Sequence, residues 1–167
     1  MTDVYISGHL LETCQEGCPK FVEESRVRVP GGAANAAESL AHWCANVVCH
    51  GNPTAYGGPV KTRFMVQDKC MWRHDDEGLD QGWVKIRQDA LSTLKSRHWH
   101  AVLLSDYDKG VLTPQFITEV SAACREAKTP CVADCKREFE VYKGCIIKGN
   151  FDWFRRNEVE FIRQSEL

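Results

Sequence analysis

Two adjacent glycines ahead of a run of small residues, Gly31-Gly32-Ala33-Ala34-Asn35-Ala36-Ala37, place the strongest local constraint on how this chain can fold. With no Cβ atom at either position the backbone can turn sharply and approach a neighbour or ligand closely, and the small residues that follow can open a tightly packed helix. Asn35 adds an amide able to hydrogen-bond a hydroxylated ligand. A plain loop-to-helix junction has the same appearance, so the pair gains meaning beside a second segment, Leu103-Leu104-Ser105-Asp106-Tyr107-Asp108-Lys109-Gly110-Val111-Leu112-Thr113. There an apolar strand runs into a polar turn, and open α/β sheets carry their functional loops at such carboxyl ends. Asp106 and Lys109 are the candidates it offers. The structural alternative is a capped turn with Gly110 in the left-handed conformation.

The length of 167 residues suits one domain, 1–167, with a proper core. A net charge of −2, with Lys and Arg scattered among Asp and Glu, gives nucleic-acid binding no electrostatic support. No basic-then-apolar leader and no apolar run of membrane-spanning length is present, so a soluble cytoplasmic protein with no membrane partner is expected. Nine cysteines without an export signal read as reduced thiols used as small hydrophobes. Cys44, Cys49, Cys124 and Cys145 lie in apolar stretches and are expected in the core. Cys14 with Cys18, and Cys131 with Cys135, have three intervening residues where zinc knuckles and redox pairs have two, and no metal site is expected. His98 and His100 read as edge histidines at a helix-to-strand junction.

Hydrophobic periodicity orders the elements. Val4 to Gly8 reads as a buried first strand ending in a glycine turn, and residues 20–29 alternate as a half-exposed strand does. A helix is expected from Ala33 to Cys44, packed through Ala37, Leu40, Ala41 and Cys44, with strands at Val47–His50, Thr62–Val66 and Cys70–Arg73. Between Gly82 and Arg97 the residues Trp83, Ile86, Ala90, Leu91 and Leu94 recur at helical spacing. This helix feeds Ala101–Leu104, whose unbroken apolar run suits a strand covered on both faces. Thr113-Pro114 is an N-cap followed by proline at the first helical position, opening a helix with Phe116, Ile117, Val120 and Cys124 inward. Short parallel strands at Val132-Ala133 and Cys145–Ile147, then a helix from about Asn150 to Gln164, complete the chain.

The Gly31–Ala37 and Leu103–Thr113 segments, in this order, resemble the ribokinase-like (phosphofructokinase-B) carbohydrate kinases, and within them the heptose-7-phosphate kinases of the ADP-heptose synthase kind. Glu16–Val22, Lys61–Phe64, Met71–Asp75 and Val132–Lys136 fall in the same order. The resemblance implies a three-layer α/β sandwich with a mostly parallel sheet and a small β lid at about 20–30. It also implies a sugar-phosphate ligand held by Gly31, Gly32 and Asn35, with Lys61, Arg63, Arg73, Asp106 and Lys109 around it. Lys136 and Asn150 would lie on the nucleotide or phosphate side. ATP and Mg would be the cofactors of an active kinase, and the lid strand would clasp a second copy or a partner chain.

Several departures bear on activity. Gly8 is followed by His9 where the family has Gly-Asp, and Glu12 lies in a different register. Asn150 is followed three places on by Trp153 where the family has glutamate. The stretch between Gly51 and Lys61, with Pro53, Gly57, Gly58 and Pro59, is shorter than the family's. No Gly-Ala-Gly-Asp turn follows Asn150, and the last glycine is Gly149. The expectation is a truncated homologue, the N-terminal half of the kinase fold, with a partial sugar-phosphate site, no assigned catalytic residue and little or no phosphotransfer by itself. The alternatives are an active kinase completed by another chain, and an interaction protein with a vestigial site.

Overall fold

The computed structural model describes residues 1–11, 16–51, 58–78 and 82–157. The chain is α/β and divides into two compact units, Met1–Gly82 and Trp83–Leu167.

In the first unit, strands β1 (Thr2–Leu11), β2 (Lys20–Pro30), β3 (Val60–Val66) and β4 (Lys69–Asp76) form a sheet in the order β2-β1-β3-β4. Only β1 and β3 run parallel; β1 with β2 and β3 with β4 are antiparallel. The mostly parallel sheet expected from the sequence therefore does not extend to this unit. β3 and β4 are joined by Gln67 and Asp68, both at positive φ (48° and 62°), the two-residue turn whose twist matches that of paired strands.

One face of this sheet is apolar. Val4 and Ile6 are buried on it. Phe64 stands opposite Ile6 on one side and Trp72 on the other. The Phe64 and Trp72 rings stack at 5.1 Å, and Phe21 meets both edge-on at 5.4 and 5.5 Å. Such ring pairs contribute roughly 0.5–1.5 kcal/mol each beyond area burial. Gly8 makes this cluster possible. It does not end a strand, as its sequence context suggested, but lies inside β1 where a bulge shifts the register past Ser7. A Cβ there would overlap the Val22 carbonyl oxygen and come within 2.7 Å of the Phe21 ring.

Two further expectations fail in this unit. The helix α1 is shorter than expected, Ala33–Ala41, and buries no residue. Trp43 and Cys44 both turn their N–H groups back to the Leu40 carbonyl, ending it. The Val47–His50 strand does not form; that stretch joins neither edge of the β2-β1-β3-β4 sheet. Cys44 and Cys49 are accordingly exposed, not core.

The second unit carries the parallel sheet: β5 (Val102–Ser105), β6 (Cys131–Asp134) and β7 (Ile146–Lys148), in that order. Helices α2 (Trp83–Ser96), α3 (Pro114–Glu126) and the short α4 (Phe151–Arg156) accompany it. Thr113 caps α3, its hydroxyl accepting from the Phe116 N–H at 3.2 Å, with Pro114 next, as the sequence indicates. Phe116, Ile117, Val120 and Cys124 are all buried, and they share one core with Leu104, Cys131, Ala133, Cys135, Tyr142 and Trp153. Cys145 packs against this core half-buried. β5 departs from expectation: Leu104 is buried but Leu103 is 41% exposed, because β5 is an edge strand covered on one face. The last helix is described only as far as Asn157, so its expected extent to Gln164 lies outside the described residues. Among the described residues no helix is long and apolar enough to cross a membrane.

Gly8→Ala is expected to destabilise the first unit by about 1–3 kcal/mol, since the added methyl meets backbone as well as a ring. Urea unfolding followed at the β1 and β2 amides checks this; an unchanged midpoint would count against the bulge and the aromatic cluster it permits.

Candidate functional site

The polar face of the first sheet gathers the charged candidates. Alternation places Asp3 and Tyr5 of β1, Lys61 and Arg63 of β3, and Arg73 and Asp75 of β4 on the face opposite Val4 and Ile6. Asp3, Lys61 and Asp75 form one cross-strand row; Tyr5, Arg63 and Arg73 form the next. Directly opposed arginines repel. Here each has its own carboxylate: Arg63 Nη1 donates to Asp3 Oδ1 at 2.8 Å, and Arg73 Nε lies 2.7 Å from Asp75 Oδ1. Arg63 also lies over the Tyr5 ring, 5.1 Å from its centre. Donating this hydrogen bond to Asp3 raises the Arg63 pKa further, so this cation stays charged at every working pH.

The glycine pair backs onto the same carboxylate. Gly31 donates to the Met1 carbonyl at 3.1 Å, and a Cβ at Gly31 would overlap the Asp3 carboxylate. Gly32 sits at φ 59° and ψ −129° as the N-cap of α1, a backbone shape that suits glycine, and its carbonyl accepts from Ala36. Asn35 is exposed in the first turn of the helix. Lys61, Arg63 and Arg73 thus share one face of the sheet, and Gly31 and Arg63 meet there at Asp3, a residue the sequence reading passed over. The available signal was a polar alternation, Asp3 and Tyr5 on β1, Lys61 and Arg63 on β3, Arg73 and Asp75 on β4. Glu12, weighed as a substitute carboxylate, lies outside the described residues, as do Cys14, Pro53 and Gly57.

Asp106 and Lys109 belong to the second unit. Asp106 is 3% exposed at the end of β5. Its Oδ2 accepts from the Tyr142 hydroxyl at 2.7 Å and from Arg137 Nε at 3.1 Å, and its Oδ1 accepts from the Asp108 N–H at 2.7 Å. The Tyr142 hydroxyl in turn accepts the Lys136 and Arg137 N–H groups, each at 3.1 Å. Arg137 reaches Asp108 as well, at 2.5 Å, and its carbonyl accepts from Trp153 Nε1 at 2.7 Å. Asp108 and Gly110 both adopt positive φ, 53° and 87°, so the turn alternative and the Asp106 anchor coexist. Lys109 is half-buried within that turn. Burial lifts the Tyr142 phenol to about 12, leaving it a neutral donor to Asp106.

Lys136 and Asn150 come together at the carboxyl edge of the same sheet. With Asp134, Cys135, Lys148 and Gly149 they line a cleft of about 250 Å³. Lys148 Nζ pairs with Asp134 Oδ2 at 2.9 Å, and the Cys135 N–H donates to the Lys148 carbonyl at 2.9 Å, tying the two strand ends together. Asn150 is engaged as the cap of α4, its Oδ1 accepting from the Trp153 N–H at 2.8 Å. Among the described residues no group of three His, Cys, Asp or Glu side chains is placed to hold a metal ion. Sequence reading missed Tyr142, Arg137 and Lys148, whose carboxylate partners Asp106 and Asp134 lie 14 or more positions away.

No family model matches the chain. It is similar to bifunctional HldE proteins: 39% identical over 92 residues to that of Granulibacter bethesdensis and 31% over 90 residues to that of Campylobacter jejuni, in each case about half of this chain. A longer match, 28% over 179 aligned positions, takes in 86% of the chain and 36% of the HldE of Koribacter versatilis. The chain spans about a fifth of the length of the first two relatives.

Tyr142→Phe removes the hydroxyl that joins Asp106 to two backbone amides, and is expected to cost about 2–3 kcal/mol of stability in the second unit. The folded-state phenol titrates near 12, above the ordinary value of 10, so the folded form keeps a proton that the unfolded chain has lost. Stability should therefore fall as pH rises from about 10 to about 12. Urea unfolding across that range should show the fall in wild type and a smaller one in Tyr142→Phe; equal slopes would contradict the buried hydrogen bond.

Proposed function

We propose that this chain is a heptose-kinase-like protein on a ribokinase-like framework, whose first unit binds a sugar phosphate and which transfers little or no phosphate by itself. The observation that carries the reading is the Gly31-Gly32 turn seated on Asp3, the carboxylate that holds Arg63. A glycine turn offers close backbone approach to hydroxyls, and the guanidinium beside it suits a phosphate. Three cations, Lys61, Arg63 and Arg73, stand on that face against the two carboxylates Asp3 and Asp75, which favours an anion. Similarity to HldE proteins, which are heptose kinase/adenylyltransferases, supports a sugar phosphate over other anions.

Phosphotransfer needs a base and an anion hole as well as a sugar site. Asp106, the buried carboxylate of the Ser-Asp-Tyr turn, is committed to Tyr142 and Arg137. The 167 residues contain no Gly-Ala-Gly-Asp string. Lys136 and Lys148 at the carboxyl edge of β6 and β7 would face the phosphates of a nucleotide, and Asp134 is the one carboxylate in the lining of that cleft. Assayed as these 167 residues with ATP and heptose-7-phosphate, sugar-dependent ADP release should stay far below about one turnover per second; turnover at that rate overturns the inactive reading.

Heptose-7-phosphate should bind with a Kd in the range of roughly tens of micromolar to millimolar, as two or three charge-assisted hydrogen bonds support after ordering costs. Calorimetry on wild type, Asn35→Ala and Arg63→Ala tests this, with weaker binding in both variants and none for the unphosphorylated sugar. No binding at millimolar ligand would remove the sugar-phosphate reading.

A partner surface forms the second reading, favoured by β2. It is an 11-residue edge strand, with Val27 54% exposed and Val29 36% exposed on it. Long exposed edges template pairing with another chain, and a second copy supplies a matching edge. Light scattering at micromolar concentration should give a dimer that Val27→Lys shifts toward monomer; a clean wild-type monomer would refute it.

A further inference from the structure

Three thiols meet in the core of the second unit, and no part of the sugar-phosphate reading uses them. Cys131 opens β6, and Cys145 immediately precedes β7. Since Val132 is paired with Ile146 in this parallel ladder, Cys131 and Cys145 are the next lateral neighbours outward. Neighbouring strands lie about 4.8 Å apart, inside the window of about 4.4–6.8 Å that a disulfide spans between Cα atoms. The side chains already point at one another, with the Cys145 thiol 3.6 Å from the Cys131 sulfur. We propose that Cys131 and Cys145 are a thiol pair that closes to a cross-strand disulfide when a low-molecular-weight disulfide such as glutathione disulfide reacts with it.

The surroundings set the order of events. Cys124 and Cys131 are buried, whereas Cys145 is half-buried and follows the exposed Lys143 and Gly144. Hydrogen bonding with Cys124, and then burial, hold the Cys131 thiol protonated far above the ordinary range. Cys145 is therefore the entry point. Its thiolate attacks one sulfur of glutathione disulfide, forming a mixed disulfide and expelling one glutathione thiolate. Cys131 then attacks the Cys145 sulfur, its own proton passing to the second departing glutathione. The protein loses two protons and two electrons, and one glutathione disulfide takes them up to become two glutathione thiols. Closing needs the two sulfurs to draw together from 3.6 Å, which β7 permits as a three-residue strand at the sheet edge. Because β7 ends at Lys148, the crosslink also fixes one wall of the cleft lined by Asp134, Lys136, Lys148 and Asn150.

The test uses the reduced full chain, incubated for hours with glutathione disulfide, digested without reductant and mapped by mass spectrometry. The expected product is a joined Cys131–Cys145 peptide pair two hydrogens lighter than its parts, reversed by dithiothreitol, retained in Cys124→Ser and absent in Cys145→Ser and Cys145→Ala. Oxidised wild type should unfold at a higher urea concentration than the reduced protein, with no such shift in the Cys145 variants. Glutathione caps on the exposed Cys18, Cys44, Cys49 and Cys70 with Cys131 and Cys145 left unjoined would overturn the proposal, as would a dominant Cys124–Cys131 link.

Discussion

The second unit depends on a carboxylate that has been taken out of water. An ionised aspartate at 3% exposure is tolerated only where donors replace its hydration. Asp106 receives three, from the Tyr142 hydroxyl, from Arg137 and from the Asp108 N–H. Meeting that requirement fixes much else. The Asp108 contact closes the turn after β5, while Arg137 and the amides bound to Tyr142 shape the chain as it leaves β6. Trp153 then locks onto the Arg137 carbonyl and seats α4. The carboxyl edge of β6 and β7, with its cleft, is therefore an outgrowth of how one aspartate is satisfied.

The first unit solves a milder form of the same problem. Arg63 and Arg73 face each other across β3 and β4, and Asp3 and Asp75 neutralise them one to one. Asp3 also fills the space left by the missing side chain at Gly31. The glycine turn, the carboxylate and the guanidinium consequently form one unit of structure. On the proposed reading, a phosphate arriving at this face would compete with Asp3 for Arg63, which would keep affinity modest and make the carboxylate a determinant of it.

Much of this was legible in the sequence, for identifiable reasons. The Thr113-Pro114 cap, the inward face of α3, the helix from Trp83 and the parallel strands β6 and β7 announce themselves through local capping and periodicity, and each is present. Glycine was harder to read. Gly8 in its sequence context marks a strand end, yet its purpose is to let Phe21 cross β1 beneath a bulge, a contact between residues 13 positions apart. Val47 to Cys49 has strand composition yet joins no strand of the first sheet, since pairing is decided by the whole sheet and not by local composition. Arg63 and Asp106 were found because charged residues stand out. Their partners, Asp3 for the first and Tyr142 and Arg137 for the second, were not, because a satisfied polar group is defined by what it touches and not by what flanks it.

The claim that Arg63 is the phosphate contact, held in place by Asp3, is tested most directly by a double-mutant cycle on heptose-7-phosphate affinity, using Asp3→Asn, Arg63→Ala and the pair. Removing the competing charge should tighten binding while Arg63 is present and do nothing once it is gone, a coupling on the order of 1 kcal/mol. Equal effects of Asp3→Asn in both backgrounds would show that the guanidinium does not meet the ligand, and would contradict the account.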